Sequence, residues 1–138
     1  KYRDFELKLD FKIDEYGKYN SGVYLRQPIE RGVGRPYQVN IGRGVAGEPV
    51  GLYLDDWLAK GDEHDKIRRV LKWNSLRIRI VESHIKVWLN GKQIVDFTHE
   101  NPKPYLLKAG PIALQTYGAE GYSGWVKFRN MQLKDLSK

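Results

Sequence analysis

Cysteine is absent from the 138 residues. No disulfide framework, thiolate metal site or thiol nucleophile can therefore be built, a condition that suits an exported protein as well as a cytosolic one. Long apolar runs are missing too. No stretch approaches the roughly 20 residues of a membrane-spanning helix, so a membrane is not an expected partner. The chain opens Lys1-Tyr2-Arg3 without an initiator Met, a basic n-region or an apolar h-region, so no signal peptide is in view. Helical periodicity and βαβ alternation are lacking, which sets aside bundles and doubly wound folds. Also lacking is a strand of alternating acidic residues, the arrangement that would aim two carboxylates into one cleft for ordinary glycoside hydrolysis. His64, His84 and His99 show no metal-ligand spacing, and no Ser-His-Asp set or phosphate loop leading into a helix can be assembled.

What the chain does have is period-two alternation. Phe5, Leu7, Leu9, Phe11 and Ile13 alternate with Glu6, Lys8, Asp10 and Lys12, the pattern of a half-buried antiparallel strand. Val23 and Leu25, Val39 and Ile41, Leu52 and Leu54, and Leu76, Ile78 and Ile80 repeat it. Ile85, Val87 and Leu89 run into Asn90-Gly91, a two-residue hairpin signal, and Ile94 to Phe97 return. Ile112 and Leu114 follow. The last strand starts at Val126 and Phe128 and ends at Met131 and Leu133, and this change of spacing predicts a bulge near Arg129 and Asn130. About nine short strands with turns between them predict an all-β antiparallel β-sandwich of jelly-roll type, in one domain over residues 1–138. The chain begins directly in a strand, so this domain is expected to be incomplete on its N-terminal side, with an open sheet edge that a missing segment or another domain would pair with.

The net charge of +7 is dispersed over alternate strand positions such as Lys8, Lys12, Arg77 and Arg79. This reads as a solvated sheet face rather than a nucleic-acid stripe, with an acidic polysaccharide as a possible ligand. The stretch from Asp55 to Lys72 is irregular, with room for one helical turn. Its Asp55, Asp56, Asp62, Glu63, His64 and Asp65 read as an exposed acidic loop, with a divalent cation as the alternative. No metal ligand set and no cofactor is expected.

The outward positions of the early strands are unusual for a merely solvated sheet. Tyr24, Arg26, Gln38, Asn40 and Tyr53 should project to one side, joined by Gln115 and Tyr117 from a later strand. Amides and a guanidinium hydrogen-bond hydroxyl groups, and aromatic rings cover the apolar faces of sugars. Trp57 is the best stacking candidate among the tryptophans. Trp73 and Trp125 read as structural, and Trp88 lies on the outer face of its strand. The expected partner is an oligo- or polysaccharide.

Several segments carry a family resemblance. Asn20-Ser21-Gly22-Val23-Tyr24-Leu25-Arg26 resembles the "NSGvylR" signature of the 3-keto-disaccharide hydrolase domain family. Tyr2-Arg3-Asp4-Phe5-Glu6-Leu7 is similar to its "y.dFeL", Tyr37 to Ile41 to "YEvqi", and Gly51-Leu52-Tyr53 to "GalY". Trp73-Asn74-Ser75-Leu76 resembles "WNtl", Trp88-Leu89-Asn90-Gly91 "wlNG", Gly110 to Gln115 "GpIgLQ", and Val126 to Asn130 "v.FRNi". They run in order over nearly the whole chain. The resemblance implies a concanavalin A-like jelly roll with a concave sugar-binding sheet, in a secreted or periplasmic bacterial protein. It also implies cleavage of glycosides oxidised at carbon 3, by elimination and later addition of water, with a base near carbon 2 and polarisation of the ketone. Where the family carries an acidic residue this chain has Gln38, and where it carries a His this chain has Tyr117. Carbohydrate binding is therefore the first expectation. A 3-keto-disaccharide hydrolase is the second, with a loop carboxylate, Glu48 or Glu120, as base. An interaction domain completed by another segment is the third.

Overall fold

The structure is a computed structural model and describes residues 1–14, 21–43, 47–116 and 124–137. Among these described residues ten strands form two sheets. The first sheet contains β1 (Phe5–Ile13), β6 (Asn74–Val81), β7 (His84–Leu89), β8 (Lys92–Thr98) and β10 (Val126–Asp135), in the order β10-β1-β6-β7-β8. The second contains β2 (Ser21–Leu25), β3 (Tyr37–Ile41), β4 (Gly51–Tyr53), β5 (Trp57–Ala59) and β9 (Ala113–Thr116), in the order β5-β4-β3-β2-β9. Neighbours are antiparallel throughout. This is the expected all-β sandwich.

The alternation in β1 works as its pattern requires. Phe5, Leu7, Leu9, Phe11 and Ile13 are buried and meet Ile80, Ile78 and Leu76 of β6 in register. Val23, Leu25, Val39, Ile41 and Leu52 supply the facing layer of the same apolar cluster. At Asn90-Gly91 both residues take positive φ, 51° and 82°, the left-handed conformation a two-residue hairpin needs. The bulge also lies where the spacing placed it. Asp10 pairs Arg129 while Lys8 pairs Gln132, so β10 carries one extra residue there, and Asn130 has φ 55°.

Two features of the long 55–72 stretch differ from expectation. Trp57–Ala59 is a tenth strand, paired through Tyr53↔Trp57 and Leu52↔Ala59. Three consecutive half-buried residues leave no alternation to read. The stretch also contains no helical turn. Among the described residues a short 3-10 turn sits at Pro104–Leu107, where Pro104 supplies the fixed φ of a first helical position.

Buried polar side chains give the rest of this stretch its shape. The carboxylate of Asp62 accepts hydrogen bonds from the backbone N–H groups of Lys66, Ile67 and Arg68 at 2.9–3.2 Å. Asp65 forms a two-point pair with Arg68, both bonds 2.8 Å. Asn74 accepts from Arg69 N and donates to the carbonyls of Arg69 and Lys72. Asn90 then donates to Asn74 Oδ1 and to Ile67 O. The Trp73-Asn74 and Asn90-Gly91 segments, far apart in sequence, thus form one network that anchors the loop. Asp62 and Asp65 are not the solvated loop acids the sequence suggested, because loop backbone and Arg68 engage both of them.

Candidate carbohydrate site

The register of the second sheet brings most of the expected residues onto one face. Tyr24 pairs Gln38, Gln38 pairs Tyr53 and Tyr53 pairs Trp57. This forms a row across four strands. One step along, Gln115 pairs Gly22 and Gly22 pairs Asn40. Side chains directly opposite across strands share a face, so the outward positions of β2, β3, β4, β5 and β9 form a single surface.

Gln38 organises this surface. Its Nε2 donates to Asn40 Oδ1 at 3.1 Å and to Gln115 Oε1 at 2.8 Å. The second bond crosses the whole of β2, and glycine at position 22 permits it. A Cβ there would stand 2.8 Å from Gln38 Nε2 and 3.0 Å from Val39 O. Asn40 is nearly fully buried, and its Nδ2 donates to Pro49 O at 2.9 Å and Glu48 O at 3.3 Å. A hydroxyl bond from Ser21 to Gln115 O holds β9 in place. An amide carries two donors and an acceptor with two lone pairs. These bonds occupy Gln38 Nε2 and Gln115 Oε1 and do not use Gln38 Oε1 or Gln115 Nε2. The two unused atoms form an acceptor beside a donor, the complement of a hydroxyl group.

The aromatic end of the row is fixed separately. Tyr53 and Trp57 meet edge to face, ring centres 5.2 Å apart at 72°, a favoured arrangement for such rings. The Tyr53 hydroxyl donates to Asp55 O at 3.3 Å. Toward the other end Tyr24 and Gln38 border an open cavity of about 400 Å³, lined also by Gln27, Gly34, Arg35, Pro36 and Leu54. Burial pushes the Tyr24 hydroxyl above its ordinary pKa, opposed by the nearby charge of Arg35.

Arg26 is a correction. Strand alternation would place it beside Tyr24, but β2 ends at Leu25, and Arg26 takes φ 54°, which turns its side chain inward. The side chain is completely buried. Its guanidinium donates to Arg3 O at 2.5 Å, Glu82 O at 2.7 Å, Leu106 O at 2.9 Å and Asp4 Oδ1 at 3.1 Å. Burial lowers its pKa and Asp4 opposes the shift. Arg26 therefore ties the end of the second sheet to segments flanking the first. The exposed guanidinium at the site is Arg35, which the sequence reading missed. Arg35 lies in a loop with no strand pattern to assign it a side. Its backbone is braced by the Tyr105 hydroxyl, which donates to Arg35 O at 2.8 Å.

Of the remaining expected residues, Tyr117 and Glu120 lie outside the described residues. Glu48 sits beside the amide cluster, its carbonyl accepting from Asn40. His99, expected on the surface, shares a 2.6 Å hydrogen bond with the hydroxyl of the buried Tyr37. Tyr37 is pushed up to about 12 by burial. No group of three or more His, Asp or Glu side chains suited to a metal ion occurs among the described residues.

Comparison with known proteins agrees with this architecture. The family model described as "3-keto-alpha-glucoside-1,2-lyase-like domain" matches residues 1–134. A candidate glycosyl hydrolase from Parabacteroides distasonis ATCC 8503 is 24% identical, with a TM-score of 0.67 over 98% of this chain and 79% of that one. The carbohydrate-binding module CBM66 from Bacillus subtilis superimposes with a TM-score of 0.71 at 15% identity, covering 96% of this chain and 76% of that one. Sheep galectin-11, in complex with glycerol, gives 0.62 at 13% identity, covering 97% and 92%. These likenesses establish a concanavalin A-like jelly roll. Among curated proteins, none matches the chain in sequence.

Proposed function

The chain belongs to the 3-keto-alpha-glucoside-1,2-lyase-like domain family, and from that premise we propose that the outer face of its second sheet binds a sugar. The observation that carries this reading is the amide bridge over Gly22, which leaves Gln38 Oε1 and Gln115 Nε2 unused on the face that also carries Tyr24, Tyr53 and Trp57. Tyr24, Tyr53 and Trp57 offer ring surface to a pyranose, and the amides meet its hydroxyl groups. Arg35 replaces Arg26 as the guanidinium at the rim. The sharing of this fold with a carbohydrate-binding module and a galectin supports the reading.

Gln38→Ala and Gln115→Ala should each weaken binding of a disaccharide, chosen by screening a glycan panel, by about tenfold, the worth of one or two hydrogen bonds. Calorimetric titration measures this. Unchanged affinity in both variants would place the sugar elsewhere. None of the amides titrates, and the Tyr24 pKa is raised rather than lowered. Affinity for a neutral sugar should therefore be flat from about pH 5 to about pH 9. A slope through the carboxylate or imidazole range would show that an ionising group belongs to the site.

A second reading, cleavage of 3-keto-glycosides, draws on the family description and on the position of Glu48. The bond from Asn40 fixes the loop that bears this carboxylate at the edge of the amide cluster. In this reaction a base takes the proton from carbon 2, the bond from carbon 1 to the leaving oxygen breaks, and water adds to the resulting enone. Glu48→Gln should then reduce turnover of a 3-keto-disaccharide by more than about 100-fold, since the amide cannot take up the proton, while disaccharide affinity is kept. Turnover at the parent rate would remove Glu48 from that role.

A further inference from the structure

The outer face of the first sheet, on the opposite side of the sandwich from the amide cluster, carries an unusual charge arrangement. Like charges stand directly opposite one another at three places: Lys12↔Lys127 between β1 and β10, Lys8↔Arg77 between β1 and β6, and Arg79↔Lys86 between β6 and β7. Directly opposed like charges destabilise a sheet. The acids on the same face are already engaged. Glu6 takes Arg77 at 2.9 Å and Arg79 at 3.7 Å, and Asp10 takes Arg129 at 3.3 Å, while Asp96 shares a 2.5 Å hydrogen bond with His84 and stands directly opposite Lys86. Lys86 and Lys134 stand opposite Asp96 and Glu6, whereas Lys8, Lys12 and Lys127 have neither an ion pair nor an acid directly opposite among the described residues.

Nearby indoles partly disperse this charge. Arg77 lies 4.4 Å from the Trp88 ring centre, Arg129 3.9 Å and Lys12 5.1 Å from that of Trp73, and Lys127 5.3 Å from that of Trp125. These contacts hold the cations in place, but they do not neutralise them. We propose that this face is a second binding surface, distinct from the amide cluster, that docks an acidic polysaccharide bearing carboxylate or sulfate groups. The opposed cations form three pairs, each about one strand spacing (4.8 Å) across, in different rows of the one face, and suit a polymer with repeated anions. Single-stranded nucleic acid is the poorer match. Its binding sites offer free aromatic platforms for the bases, whereas each of these three indoles already carries a cation.

The test titrates the intact chain with polygalacturonate and with dextran sulfate, beside neutral dextran, oligodeoxythymidine and duplex DNA. Binding to at least one acidic polysaccharide is expected, and it should fall at least about tenfold between about 50 mM and about 300 mM NaCl. The combined variant Lys8→Gln, Lys12→Gln, Lys127→Gln should lose at least about tenfold in affinity. It should melt no lower than the parent, because the Lys8↔Arg77 and Lys12↔Lys127 repulsions are gone and none of the three lysines stands opposite an acid. Gln38→Ala should leave this binding unchanged, which separates the proposal from the sugar site on the other sheet. The proposal is overturned by no binding to either polyanion at low salt, by tighter binding of either nucleic acid, by salt-insensitive binding, or by a combined variant that binds like the parent.

Discussion

Arg26→Ala is expected to destabilise the domain by about 3–5 kcal/mol, the range seen when one partner of a buried ion pair is removed. The side chain is wholly inside, and its four donated bonds reach Arg3, Glu82, Leu106 and Asp4. Truncation would strand three carbonyls with no donor in place of the guanidinium. Asp4 would keep Glu82 N at 2.9 Å and Arg3 at 3.3 Å, so its charge would be only partly compensated. In a domain of this size the loss corresponds to a fall in Tm of about 10–20 °C. Arg26→Lys should recover little of it, because an ammonium is a point charge without the planar fork that reaches four acceptors. Urea unfolding followed by tryptophan fluorescence would measure both variants. A loss below about 1 kcal/mol for the alanine variant would mean that water replaces the guanidinium at no great cost, and that Arg26 is not what ties the two sheets together.

The second large effect should come from a single glycine. Gly22→Val is expected to reduce sugar affinity about 100-fold or more while costing the fold about 1–3 kcal/mol, the usual penalty for overpacking. A Cβ at position 22 meets Gln38 Nε2 at 2.8 Å and Val39 O at 3.0 Å, and the branched methyl groups extend further into the path of the bond from Gln38 to Gln115. The Gln38 side chain must then leave Gln115, and the paired acceptor and donor separate. Circular dichroism would confirm that the sandwich persists, and titration with the disaccharide would report the loss. Retained affinity in a folded Gly22→Val protein would show that the amide bridge is not what the sugar recognises. This outcome differs from that of Arg26→Ala, which should act on stability first.

Strand content was largely legible from sequence because the rule behind it is local. Each inward residue in β1 is two positions from the next, so Phe5 to Ile13 declares its buried face without any partner in view. Asn90-Gly91 is equally local, since only residues tolerant of positive φ close such a turn. The bulge followed from the same arithmetic, when the spacing from Phe128 to Met131 broke the period. Alternation also placed Tyr24, Gln38, Asn40, Tyr53 and Gln115 on one side, and the cross-strand pairs bear that out.

Long-range contacts decided the remainder. Nothing in the run from Val23 to Arg26 announces that Arg26 leaves the strand at φ 54° and turns inward. The four acceptors that make this favourable come from residues 3, 4, 82 and 106. Arg35 could not be assigned a side because the loop that presents it is held by Tyr105, seventy residues on. Trp57–Ala59 became a strand because β4 offered it an edge, not because its own residues alternate. Apart from β5, the sequence by itself determined which residues lie in strands and which side of each strand is apolar, since period-two geometry is a property of the backbone alone. The tertiary structure decided which polar side chains share the outer face and which turn inward to hold the fold together, because that depends on register and on acceptors that adjacent residues do not supply.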